Sequence, residues 1–270
     1  MRTLNRTLDI LEVFLKVEID SIRLSELVKQ SGLKRATVNR IVSDLADRGY
    51  LSQMKPRGKY YLGTKFVRFN QLIMQKSRLG QVAPLHLAKL AESVKDCVFL
   101  TVPDGETAMV SAVIDSQHIL RIALEVGTLI PLYCTGQGKA MLAGMTEAEL
   151  DRYLSTVTLK RLTENTITDP GELKAHLRTV AKEGVAYDDE DQYIGIRNVA
   201  AGIMNAEGKV IASVGAIGPS VRMTKARMRE IMPQVKLCAA EISRALGYVS
   251  CDTEPAVNKR KTKGQKVAHT

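Results

Sequence analysis

Cysteine and histidine are scarce in this 270-residue chain, four of each, and neither is spaced for metal. Cys97, Cys134, Cys238 and Cys251 form no C-x-x-C pair, and His86, His118, His176 and His269 form no H-x3-H or H-E-x-x-H pair. Neither a disulfide frame nor a zinc finger is signalled, and buried free thiols are the expected state. No apolar run approaches the ~18 residues that cross a bilayer, so no membrane partner is expected. The opening MRTLNRTLDILEVF sets Asp9 and Glu12 inside its apolar pattern and lacks a small-residue cleavage site. A soluble chain retained in the cytoplasm is the expectation.

Signatures of catalysis are missing as well. The segment Cys134-Thr135-Gly136-Gln137-Gly138-Lys139-Ala140 fails as a phosphate loop, because Tyr133 stands where the first glycine is needed and Ala140 where Ser or Thr is needed. What remains is a glycine-rich turn entering a helix over 138–145. Its amides suit a carboxylate or a phosphate, or the glycines serve close packing on a sheet. The acids Asp188, Asp189, Glu190 and Asp191 form no calcium loop and have no His or Cys beside them in sequence. They read as a solvated loop or a metal trap, and no catalytic residue, metal ligand or cofactor is assigned.

What is present is positive charge, and it is unevenly placed. The net charge of +10 divides into +9 on residues 1–80, −2 on 81–251 and +3 on 252–270. A basic first region joined to a near-neutral second one fits a polyanion-binding module attached to something else. Duplex DNA, RNA and an anionic membrane surface all satisfy that pattern.

The periodicity narrows the choice. Leu4, Leu8, Leu11 and Leu15, with Ile10, Val13 and Phe14, recur at helical spacing over 3–17. Ser25 then opens a short helix that stops at Ser31-Gly32. A third helix follows over 33–50, with Val38, Ile41, Val42 and Leu45 as its buried stripe and Gly49 as its stop. Two short helices around a glycine turn, the second basic at its start, are the sequence form of helix-turn-helix. Lys34, Arg35, Ala36, Thr37, Asn39, Arg40 and Ser43 are left to face outward. Arg and Asn suit guanine and adenine edges in a major groove, Ala and Thr suit a thymine methyl, and Lys34 suits phosphate. Strand-like runs over 50–54 and 59–62 flank Lys55-Pro56-Arg57-Gly58, which makes a hairpin with Lys55, Arg57 and Lys59 at its tip. Three helices and a basic hairpin in this order point to a winged helix-turn-helix on DNA.

Residues 64–80 continue as a helix carrying Phe66, Val67, Phe69, Leu72, Ile73 and Met74, closed by Gly80. A small winged domain cannot bury that row alone, so part of it is expected at a dimer contact. Beyond it, helix is expected over 85–94, and strands over 97–102, 107–114, 119–124, 194–204 and 209–217. Further helices are expected after the capping box Thr146 to Glu149, after Asp169-Pro170, and over 224–246, the last kinked or divided by Pro233. The fold class is α+β, an antiparallel sheet with flanking helices. The domains are 1–63, a linker helix 64–80, a second domain 81–249, and a basic tail 250–270 expected to be disordered.

Several segments together resemble the IclR family of bacterial transcription regulators: RTLDILEVF, LSELVKQSGLKRATVNRIVSDLADRGYLS, YYLGTKF, GQGKAMLAGMTEAEL, ENTITDPGELKAHLRTVAKEGVAYDDEDQYIGIRNVAAGI and ASVGAIGPSVRMT. The resemblance implies a linker helix joining the winged domain to an effector domain with a GAF-like sheet. It implies a homodimer or dimer of dimers on palindromic operators, and a small organic acid or aromatic effector. Carried over by position, the effector pocket is Ile122, Ile130, Gly136, Gln137, Asp188, Ile196, Asn198, Gly215 and Ile217. Family members that take small keto acids tend to have Cys at the position of Asn198 and Ser at those of Gly215 and Ile217. Fewer hydroxyl donors favour an acid with a substantial apolar or aromatic part, held by the Gly136 and Gln137 amides and Asn198. The competing expectations are a constitutive DNA-binding regulator with a degenerate pocket and an enzyme fused to a DNA-binding module.

Overall fold

The structure, a computed structural model, describes residues 2–17, 21–55 and 58–249. The chain divides into two compact units, Met1–Gln81 and Val82–Thr270. In the first, α1 (Arg2–Val17), β1 (Ser21–Ile22), α2 (Leu24–Ser31), α3 (Arg35–Asp47), β2 (Leu51–Gln53), β3 (Tyr60–Leu62) and α4 (Thr64–Lys76) follow in order. The antiparallel strands take the order β1-β3-β2. The core is Ile10, Val13, Phe14, Leu27, Val38, Ile41, Val42 and Leu45, closed by Ile22, Leu51 and Tyr60 of the sheet. In α1 the inward face is therefore Ile10, Val13 and Phe14, while Leu4, Leu8 and Leu15 are exposed.

Local details differ from the sequence reading for identifiable reasons. Ser25 lies inside α2 and does not cap it; the Glu26 carboxylate instead accepts the Arg23 backbone N–H at 2.8 Å. Gly32 takes φ +65° and ends α2, a conformation that favours glycine. Gly63 is dictated by crowding, since a Cβ there would lie 2.2 Å from the Gly49 carbonyl oxygen. Its N–H donates to the Tyr50 carbonyl at 2.7 Å. Tyr50 then meets Phe66 edge-on at 5.8 Å and stacks with Phe69 at 6.2 Å, which seats α4. Gly80 does not close this segment. The break falls at Ser77, whose Oγ accepts the Gly80 N–H at 3.1 Å and starts α5 (Arg78–Val94), which includes Pro84. Pro56, Arg57 and the tail 250–270 lie outside the described residues.

The second unit contains β4 (Cys97–Asp104), β5 (Thr107–Ile114), β6 (Leu129–Pro131), α6 (Gly136–Leu142), α7 (Glu147–Thr156), α8 (Pro170–Glu183), β7 (Ala186–Asp189), β8 (Ile196–Met204), β9 (Val210–Pro219) and α9 (Lys225–Ala245). Six antiparallel strands run β6-β5-β4-β9-β8-β7. Alternate residues of β8 divide its faces: Asn198, Ala200 and Gly202 turn toward α6, and Val199, Ala201 and Ile203 turn away. On that other side α9 packs on β8 and β9. It is tied to α5 by His86 Nδ1 to Glu241 Oε2 at 3.0 Å and by the Cys238 thiol donating to the His86 carbonyl.

Three expectations for this unit are corrected. The run 119–124 is an irregular connection with Ile119 fully exposed, because the edge of β5 is taken by Leu129–Pro131. The acidic run belongs partly to an edge strand: Asp188 and Asp189 pair with Asn198 and Arg197. Of the two outcomes expected at Pro233, a kink or a division, division is overturned, because α9 runs as one helix from its Thr224 cap.

Candidate functional site

In the first unit, α3 and the hairpin β2–β3 share one groove, lined by Leu24, Arg35, Ala36, Asn39, Gln53, Gly58 and Tyr60. Lys34 at the N-cap of α3 and Arg35, Asn39, Arg40 and Ser43 on the helix are exposed, with Thr37 half-buried, and Lys55 and Lys59 are exposed on the hairpin. Among the described residues none of Lys34, Arg35, Arg40, Lys55 and Lys59 has an ion-pair partner, so the face is cationic and uncompensated. Among the described residues no side chain caps the N-terminus of α3; the Thr37 and Val38 N–H groups donate to the Lys34 carbonyl, which leaves the Arg35 and Ala36 amides open to an anion. Gln53 is a groove residue that sequence reasoning missed. Its Nε2 donates to the Gly58 carbonyl at 3.0 Å and braces the hairpin turn.

The second unit's site lies where α6 rests on the sheet. Asp188 on β7, Asn198 on β8, Ile217 on β9 and Cys97 on β4 oppose one another in a single cross-strand row, so their side chains share a face. Ala200 and Gly215 form the next row. The Thr135 hydroxyl accepts the Gly138 N–H at 3.1 Å, so α6 starts at Gly136, two residues earlier than expected. A Cβ at Gly136 would lie 2.1 Å from Asn198 Oδ1. One at Gly215 would lie 2.7 Å from Gln137 Nε2 and 2.4 Å from the Val199 carbonyl oxygen. The two amides thus occupy the space these glycines leave open. Gln137 is 1% and Asn198 2% exposed, and among the described residues neither the nitrogen nor the oxygen of either amide has a hydrogen-bond partner. Unpaired buried polar atoms cost about 1–3 kcal/mol each.

Behind the amides lies a compensated ionic layer. Lys139, on the inner face of α6, is ion-paired with Asp191, and both are buried. Asp188 Oδ1 accepts the Asp191 N–H at 2.7 Å. Burial, and then the charge of Asp191, push the Asp188 carboxyl up to about 7. The Thr163 hydroxyl donates to the Glu190 carbonyl and that of Thr166 to the Asp191 carbonyl, both at 2.7 Å. Glu190 is held at φ +67° with its carboxylate on the Gly195 N–H and Arg197. Lys139, Asp191, Thr163 and Thr166 escaped sequence reasoning. The available signal was a lysine on the apolar side of a short helix.

The structure brings Gly136, Gln137, Asp188, Asn198, Gly215 and Ile217 together. Ile196 lies on the same face of β8, half-buried and opposite Pro219. Ile130 is buried on β6 in the cluster of Phe99, Leu132 and Cys134 against which Ile217 packs. Ile122 stands on the β5–β6 connection, half-buried and outside that cluster. Burial pushes the Cys97 and Cys134 thiols up to about 12, so they are protonated at neutral pH and poor nucleophiles. Among the described residues no three His, Cys, Asp or Glu side chains converge on a metal position. The arrangement is suited to holding a small polar group.

Comparison with known proteins accounts for both units. Residues 3–54 match the IclR helix-turn-helix domain, and residues 67–244 match the family described as bacterial transcriptional regulator IclR C-terminal. The regulator KipR of Bacillus subtilis is 29% identical over 249 residues, 92% of this chain and 98% of its own. The crystal structure of Thermotoga maritima IclR is 29% identical with a TM-score of 0.76, over 92% of this chain and 100% of that one. An IclR homologue from Microbacterium hydrocarbonoxydans, complexed with 4-hydroxybenzoate, shares the fold at 23% identity with a TM-score of 0.79, over 90% and 98% of the two chains. The chain belongs to the IclR family of bacterial transcriptional regulators, with a helix-turn-helix DNA-binding domain followed by a ligand-binding domain.

Proposed function

We propose that this regulator binds a palindromic duplex operator in the cytoplasm, and that a small organic acid with an apolar or aromatic part sets its affinity. Lys34, Arg35, Thr37, Asn39, Arg40 and Ser43 enter the major groove, and Lys55, Arg57 and Lys59 hold flanking phosphate or the minor groove. The acid is held by the Gly136 and Gln137 backbone amides and by Asn198, within Asp188, Gly215, Ile196, Ile217, Ile130 and Ile122. The observation that carries the sensing half is the pair of buried, unpartnered amides of Gln137 and Asn198. In a degenerate pocket such atoms would be a standing cost of several kcal/mol with no return.

The working unit is a homodimer or a dimer of dimers. Leu4, Leu8 and Leu15 of α1 and Val67, Phe69, Leu72 and Ile73 of α4 are exposed apolar groups on the first unit, more than a monomer normally leaves in water. An acid that favours one arrangement of the dimer changes the spacing of the two α3 helices against half-sites one helical turn, or a multiple of it, apart. The test is selection of bound duplexes from a random pool by the full chain, followed by titration of organic acids into the selected complex. An inverted repeat whose affinity shifts with an acid is the expected result. Enrichment of no repeat, or a repeat indifferent to every acid, overturns the corresponding half of the proposal.

A further inference from the structure

On the side of the sheet away from the amide pair, a second recess lies between α8, β7 and α9. Asp188 faces α6, so its neighbours Tyr187 and Asp189 turn to the opposite side of β7. There they meet one face of α9, on which Lys225, Met228, Met232 and Lys236 follow at spacings of three and four residues. The recess is a cleft of about 710 Å³. Along α9 it runs for about 16 Å, three helical turns. Its floor is apolar: Met228 is buried, and Met232 and Tyr187 are half-buried. Its rim is cationic, with four Lys and Arg side chains against two acids. Asp189 is already neutralised, ion-paired to both Arg197 and Lys225. Lys236 Nζ donates to the Glu183 carbonyl at 2.7 Å, which fixes its charge at the cleft without cancelling it. Lys182 and Arg229 are exposed and, among the described residues, have no ion-pair partner. This positive surplus stands on a unit of the opposite sign, since residues 81–251 carry a net −2.

We infer that the cleft docks an acidic amphipathic segment of a partner protein, with apolar residues on Met228, Met232 and Tyr187 and carboxylates on Lys182, Arg229 and Lys236. A merely solvated face needs no methionine beneath its cations. Methionine adapts to apolar side chains of many shapes, and an open groove along a helix suits the apolar face of a second helix. Charge complementarity selects the occupant. The chain's own tail is repelled, because residues 252–270 carry +3. The acidic helix α7 of a second copy cannot serve, because its Leu150, Tyr153 and Leu154 are packed into its own core. Duplex DNA would meet the cations and leave the apolar floor without a partner. A regulator seated on its operator would in this way hold a second protein at the DNA.

Fluorescence anisotropy of labelled helical peptides of about 12 residues, titrated with the full chain, tests this. The first peptide has leucine at every third or fourth position and glutamate between; the second has alanine for leucine, and the third has lysine for glutamate. The first should bind, the second at least ~10-fold more weakly, a difference of about 1.4 kcal/mol, and the third not at all. Lys182→Glu combined with Arg229→Glu should weaken the first peptide by a similar factor. The unfolding midpoint and duplex binding should stay unchanged, because both side chains are exposed. Lys55→Glu, on the first unit, should leave peptide binding as it is. Should the double reversal lower the midpoint, Lys182→Gln with Arg229→Gln gives the same reading with a smaller loss. Failure of the first peptide to bind overturns the inference, as does unchanged binding in the double variant. Loss of binding in Lys55→Glu places the peptide on the DNA-binding face and overturns it too. Equal binding of the first and second peptides, or of the first and third, means that the methionines or the charges play no part, with the same result. A parallel loss of duplex binding in the double variant gives the cleft to DNA and also overturns it.

Discussion

The two units each present polar groups without partners, but under opposite conditions. On the first unit they are cations in water: Lys34, Arg35, Arg40, Lys55 and Lys59 stand exposed, with no ion-pair partner among the described residues. Solvent hydrates them at no cost to folding, and they attract a polyanion through long-range field and counterion release. In the second unit they are the neutral amides of Gln137 and Asn198, sealed from solvent. There the cost falls on the folded state, and any partner must match in geometry and in donor and acceptor sense. An open charged surface therefore identifies a class of polymer, whereas a buried unsatisfied pair identifies functional groups on a small molecule.

The largest expected effect tests whether charge in the second unit is kept only where it is matched. Lys139→Met removes one partner of a buried ion pair and strands Asp191, which should cost about 3–5 kcal/mol. Denaturant unfolding monitored in the second unit reads this directly. Adding Asp191→Leu should recover much of the loss. A single variant as stable as the parent would mean that water reaches Asp191 and that this interior resembles the first unit's surface.

Two glycines two residues apart sharpen the contrast within α6. A Cβ at Gly138 would lie 2.2 Å from both the Cα and the carbonyl oxygen of Leu132, backbone that cannot step aside. Gly138→Ala should therefore cost about 1–3 kcal/mol through overpacking. At Gly136 the close atom is the tip of Asn198. Gly136→Ala should leave the unfolding midpoint nearly unchanged and displace that amide, abolishing the response to an acid while DNA binding persists. Equal destabilisation by both substitutions would place Gly136 with the packing and not with the site.

On the first unit the expected losses are smaller and are read in DNA binding. Arg40→Ala should lose about 1–3 kcal/mol on its preferred duplex and relax base preference at one position. Lys55→Ala should weaken all duplexes alike and lower the magnitude of the salt slope by about one. A Lys55→Ala variant that changed base preference, or an Arg40→Ala variant that did not, would exchange the roles of hairpin and helix.

How much of this was legible in the sequence follows the same division. The helix-turn-helix was readable because its signals are local: the stripe Val38, Ile41, Val42 and Leu45, the turn at Gly32, and basic groups left outside. The second unit was readable where capping is local, at Thr146 with Glu149 and at Asp169, whose Oδ1 accepts the Glu172 N–H at 2.7 Å. It was not readable where pairing is distant. The run 119–124 looks like a strand, but the edge of β5 is claimed by Leu129–Pro131, a contest no local pattern records. Nor does any local pattern show that Lys139 points inward, because its partner Asp191 lies 52 residues away. The resemblance to a family located Gln137 and Asn198, but their lack of partners appears only once the chain is folded.

The last effect is read as a slope against pH, and it tests whether Asp188 belongs with the buried amides as a neutral group. In the unfolded chain Asp188 loses its proton near its ordinary value of 3.8, whereas in the folded chain it holds it to about 7. Between those values the native state binds more protons than the unfolded one, so stability falls as pH rises across this window, by up to about 1.4 kcal/mol per pH unit from this group. Asp188→Asn keeps an oxygen for the Asp191 and Gln192 N–H groups and removes the titration. Denaturant unfolding at steps from pH 4 to pH 7 should therefore show that part of the slope lost in Asp188→Asn, with the variant gaining on the parent toward pH 7. Parallel profiles for the two proteins would mean that Asp188 is ionised throughout, and the row it shares with Asn198 and Ile217 would then be as wet as the face of α3.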